Sequence, residues 1–197
     1  MRIRRRNTRR FTLVETVFSV AILGTIFGSI YAMIRSGTRA FTVASASSRI
    51  DTQCIETLDQ IAELLRASKL STITPQQISP FSSSVINFQR SIGYAAGATV
   101  WGNSERILLT NGTVQWIQNV GLASQTTKTL THDVPTLLER ETANGADDNG
   151  NGLVDEAGLC FNFNGSSVDV RLSLRARSST GQTLTHTARQ RVFFRNR

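Results

Sequence analysis

The chain has 197 residues, with 22 Lys and Arg against 14 Asp and Glu, for a net charge of +8. That length accommodates one ordinary domain rather than two, and a hydrophobic share of 40% excludes a disordered chain. Arg2, Arg4, Arg5, Arg6, Arg9 and Arg10 hold six of the +8 and leave +2 for the rest, so the body is excluded as a basic nucleic-acid-binding domain.

Residues 1–10 form a basic leader. Phe11–Ile34 follows as an apolar run whose one charge is Glu15. About twenty helical residues span the roughly 30 Å of a bilayer core. The spacing therefore predicts a membrane-crossing helix over 11–35. The arginines before it and Arg35 after it place the N-terminus in the cytoplasm by the positive-inside rule. A buried core helix fits less well, because a chain this size rarely hides a helix apolar on every side. A cleaved export signal has a shorter apolar region, and a twin-arginine signal separates its arginine pair from the Phe. A carboxylate at the bilayer centre costs about 2.5–3.5 kcal/mol and marks a function. Glu15 is therefore a candidate functional residue.

The basic leader, Phe11-Thr12-Leu13-Val14-Glu15 and the apolar run after it resemble the class III signal of type IV prepilins and pseudopilins. The resemblance implies cleavage between Arg10 and Phe11 by a prepilin peptidase, and N-methylation of Phe11. It also implies that Glu15 pairs with the amino terminus of a neighbouring subunit during assembly. Arg10 stands where the family prefers Gly.

Beyond the membrane segment the helix continues over 36–70. Gly24, Gly28, Ala32, Ser36, Ala40, Ala44 and Ser48 recur every fourth residue, a seam along which helices can approach closely. Ile50, Cys54, Leu58, Ile61 and Leu65 recur at three and four, an amphipathic stripe facing a globular domain. Ser71–Pro75 ends the helix.

Residues 71–197 read as a β-rich head. Val85–Phe88 is a short strand, with a Gly- and Ala-rich loop after it. Arg106–Thr110 and Thr113–Ile117 flank Asn111-Gly112, a type I′ hairpin signal. The polar segment 118–146 reads as loop with one short strand or helical turn at Val134–Leu138. Val168, Val170, Leu172 and Leu174 alternate with polar residues as a half-buried strand with a basic outer face, returning over Gln182–Phe194. The expected fold is α+β: one long N-terminal helix, half transmembrane, packed on an antiparallel sheet. This layout resembles the minor pseudopilins of type II secretion, the J-type subunits in particular.

Asp147, Asn149, Asn151 and Asp155 take positions 1, 3, 5 and 9 of a calcium loop around Gly152, with the Leu153 carbonyl at position 7. The twelfth position is Gly158, and Glu156 is the candidate substitute ligand. The insert at 147–156 thus predicts a structural Ca²⁺ clamp; a metal-free Asn/Gly/Asp turn is the plain alternative. No catalytic motif is present, so an enzyme is not expected. Cys54 and Cys160 both follow the membrane segment, and an oxidising compartment permits either a bridge or two buried thiols. These features point to a pseudopilin-like subunit of the bacterial inner membrane, with its head in the periplasm. Its partners would be other pilin subunits and the peptidase, not nucleic acid. The alternative is a membrane-anchored or exported binding module stiffened by calcium.

Overall fold

The computed structural model describes residues 12–179 and 181–194. Arg10 and Phe11, the expected cleavage pair, lie outside the described residues. The chain divides into two compact units, Met1–Thr42 and Val43–Arg197.

The first unit holds the start of helix α1, which spans Leu13–Arg66. Thr12 and Glu15 form a reciprocal capping box. The Thr12 amide and hydroxyl donate to Glu15 Oε2 at 3.3 and 3.4 Å, and the Glu15 amide donates to Thr12 Oγ1 at 3.3 Å. The helix is long and apolar enough to cross a membrane, with a mean hydropathy of 2.0 in its most apolar window. None of that window is buried, which overturns the reading of a buried core helix. The polar side chains are spent locally. Thr16, Ser19, Thr25 and Ser29 donate to the carbonyls of Leu13, Glu15, Ile22 and Ile26 at 2.7–2.8 Å. Hydroxyls bonded back to their own helix need no water, as an apolar surrounding demands.

In the second unit α1 buries Ile50, Cys54, Leu58, Ile61 and Leu65, the stripe expected from the spacing, with Thr57, Ala62 and Leu64 beside it. They pack into one core with Phe88, Ile107, Leu159, Val170 and Leu172 from the sheets. Two antiparallel sheets are present rather than one. The first runs in the order β1 (Val85–Ala95), β2 (Ala98–Thr110), β3 (Thr113–Gln118), β4 (Thr126–Thr131). The second runs β5 (Leu159–Asn164), β6 (Ser167–Arg177), β7 (Thr183–Phe193). The architecture is α+β.

The Asn111-Gly112 turn has positive φ at both residues, 49° and 70°, as a two-residue hairpin requires. β1 and β2 are longer than the sequence suggested, because Ala96 and Gly97, at φ 51° and 78°, form a second tight turn. The expected element at Val134–Leu138 is loop; Val134 and Leu138 are buried without being strand, and the strand of that region is β4. β5 was not foreseen. β6 keeps the expected exposed basic face only at its far end, where Arg175 and Arg177 are exposed; before that, Asp169, Arg171 and Ser173 are buried together with the apolar residues between them. Ion pairs make this tolerable. Asp169 accepts from Arg189 and Arg191 at 2.7 Å each, and Arg171 reaches Glu156 at 3.1 Å.

Candidate functional site

The loop after β4 carries the expected metal residues. Its Asn, Asp and Gly content suits the left-handed backbone it adopts at Gly150, Gly152 and Asp155, with φ of 72°, 85° and 47°. Asp147 organises the turn. Its carboxylate accepts the amides of Gly150, Asn151 and Gly152 at 2.7, 3.0 and 2.7 Å. Those bonds, the one from Gly152 first, hold its carboxyl below the usual range. Asp148 is lowered in the same way, chiefly by the Thr142 hydroxyl and then by the Asn144 side chain.

Asn151 bridges inward. Its Oδ1 accepts the Leu153 amide at 3.0 Å, and its Nδ2 donates to Glu156 Oε1 at 2.6 Å. Leu153 is buried with Leu138 and Cys160. Glu156 is fully buried, and its Oε1 also takes Arg171 Nη1 at 3.1 Å. Asp155 turns to another task, accepting the amides of Asn144 and Gly145 at 3.0 and 2.8 Å. Among the described residues no three His, Cys, Asp or Glu side chains form a ready ligand group.

Glu141 was missed. It lies six residues before Asp147, in the polar segment read as loop, where no spacing rule singles it out. It is 8% exposed, and its Oε1 accepts the Asn149 amide at 3.1 Å. Burial pushes its carboxyl up, the Asn149 amide opposes this, and the charges of Glu156, Asp148 and Asp147 add to the rise. A cavity of about 370 Å³ lined by Asn149, Asn151 and Arg171 opens beside the loop.

No family model, curated protein or solved structure matches the chain.

The residues the sequence reading assigns to assembly lie on α1 in the first unit. Glu15 is exposed, and a Cβ placed on Gly24 or Gly28 would meet nothing within 4 Å, so the small-residue face is open.

The two cysteines are free, and the structure explains why. Cys54 Sγ donates to the Leu172 carbonyl at 3.2 Å, in the main core that also holds the Leu172 side chain. Cys160 pairs in register with Arg171, the next residue of β6. Adjacent strand residues face opposite sides, so the second sheet separates the thiols. Of the two alternatives the sequence left open, the bridge is the one the structure rejects. Burial pushes the Cys54 thiol up to about 11 and the Cys160 thiol to about 12. Neither is a thiolate at neutral pH. Iodoacetamide at pH 8 should leave the folded protein unmodified by intact mass and label both residues once it is unfolded. A 2 Da deficit and no labelling after unfolding would show a bridge instead.

Proposed function

We propose that this chain is a minor pilin-like subunit, a pseudopilin, that assembles through its N-terminal helix into a pseudopilus or type IV pilus. The observation that carries this reading is Glu15, one carboxylate at the start of an exposed apolar helix. The same helix ends beneath an antiparallel α+β head, which supports the reading further. Charge compensation in lipid gives the carboxylate a reason to seek a neighbour's amino terminus.

Glu15 has two separable roles, and the capping box lets them be told apart. Glu15→Gln keeps an acceptor at the third helical position and so keeps the cap. It removes only the charge. Glu15→Ala removes both the charge and the Glu15 half of the capping box. Co-assembly with the major subunit, read by cross-linking in membranes, should fall by about tenfold or more in both variants. If Glu15→Gln assembles like the wild type and Glu15→Ala does not, the glutamate is only a cap. If both assemble normally, the reading fails and a membrane-anchored binding module takes its place.

A further inference from the structure

Three buried oxygens around the loop accept no hydrogen bond: Glu141 Oε2, Asn149 Oδ1 and Glu156 Oε2. Glu156 is fully buried and Glu141 is 8% exposed. Buried acceptors are almost always satisfied, so three orphans in one loop call for a shared partner. Both carboxylates are held facing the loop by their other oxygen, Glu141 by the Asn149 amide and Glu156 by the Asn151 side chain. Asn149 donates its own amide to Glu141 Oε1, which places residue 149 beside that carboxylate.

The missing partner has to bring charge as well as accept lone pairs. Glu141, Asp147, Asp148, Asp155 and Glu156 crowd this segment, and the ion pair found among them is that of Arg171 with Glu156. A water donates two protons and neutralises nothing. A hard divalent cation accepts from all three oxygens at once. Two carboxylates and an amide oxygen are hard donors without a thiolate or imidazole, which favours Ca²⁺ over zinc. An irregular loop also suits the six to eight flexible ligands of Ca²⁺ better than the strict octahedron of Mg²⁺.

We propose that Glu141 Oε2, Asn149 Oδ1 and Glu156 Oε2 are side-chain ligands of a Ca²⁺ ion bound within the 141–156 loop. This set differs from the one the spacing suggests. Glu141 enters from outside the motif, and Asp155 serves the turn at Asn144 and Gly145 rather than the ion. The cavity beside Asn149 supplies a path from solvent. The proposal stands apart from the assembly reading.

The test uses the full chain in detergent micelles, stripped with EGTA, with Ca²⁺ itself as probe. Equilibrium dialysis against ⁴⁵Ca²⁺ should show one ion per chain, half-saturated below about 1 mM. Glu141→Gln, which preserves shape, should weaken binding by about tenfold or more, and Asn149→Ala should also weaken it. Glu56→Gln, an exposed carboxylate on α1, should bind as the wild type does. Amides of residues 142–155 in the wild type should exchange with deuterium at least about fivefold more slowly with Ca²⁺, a readout that needs no variant to fold. No binding by the folded wild type at about 10 mM overturns the site. Unchanged affinity in Glu141→Gln, or an equal loss in Glu56→Gln, overturns the ligand set.

Discussion

Arg171→Met should lower the stability of the head by roughly 3–5 kcal/mol in calcium-free buffer. The Glu156 side chain is 0% exposed and that of Arg171 10%, so their contact at 3.1 Å is made out of water. Arg171 also approaches the Asn151 carbonyl, at 3.5 Å. Methionine retains most of the apolar stem, so packing changes little. What changes is that Glu156 keeps the Asn151 amide and loses its cation. An uncompensated buried charge costs far more than the pair is worth, because desolvation is no longer repaid. Folded domains have only about 5–15 kcal/mol in hand, so the melting transition of the full chain in micelles should fall visibly. Adding Glu156→Gln should recover part of the loss, because the orphaned charge is then gone. A loss under about 1 kcal/mol for Arg171→Met would mean that solvent reaches Glu156 and the pair is a surface one.

Gly158→Ala should be nearly as costly, for a steric reason. A Cβ built there lies 2.0 Å from the Pro135 carbonyl oxygen, 2.8 Å from Val134 Cγ1 and 3.0 Å from the Pro135 carbonyl carbon. Two of these atoms are backbone and cannot swing aside. Gly158 cannot retreat either. Its amide donates to the Thr136 carbonyl at 3.1 Å and its carbonyl accepts the Ser173 amide at 2.7 Å. The Val134–Leu137 segment and β6 hold it from two sides. Overpacking of this kind costs about 1–3 kcal/mol, and a clash with fixed backbone belongs at the upper end. Urea unfolding with matched m-values measures it. Gly150→Ala is the informative companion. Its Cβ would meet nothing within 4 Å, so only the strain of a φ of 72° opposes it. If Gly158→Ala proves the milder change, the close approach of the two segments is not as described.

The elements that local pattern dictates were legible from the residues alone. The stripe Ile50, Cys54, Leu58, Ile61 and Leu65 repeats with the helical period and is buried. Asn111-Gly112 allows the chain few turns other than the one it makes. The β6–β7 hairpin runs close to its expected bounds because two alternating stretches flank one short turn. The apolar run from Thr16 to Ile34 could form little other than an exposed or membrane-crossing helix, since no head of this size could cover it.

Other features depended on long-range placement. β5, Leu-Cys-Phe-Asn-Phe-Asn, is as long as β3 and is buried along nearly its whole length, which shows only once it pairs with β6. The basic face of β6 looked solvent-bound because Arg171 alternates with leucines. Arg175 and Arg177 do face solvent, but the first part of that face is buried because the loop at 141–156 brings Glu156 over Arg171 and β7 brings Arg189 and Arg191 to Asp169. The thiols are apart because one sheet runs between them, a relation that no spacing of residues 54 and 160 encodes. Glu141 joins the loop's buried oxygens from outside the motif for the same reason. Periodicity and turn chemistry act within a few residues, whereas charge pairing and burial are settled by whichever side chains the folded backbone brings together.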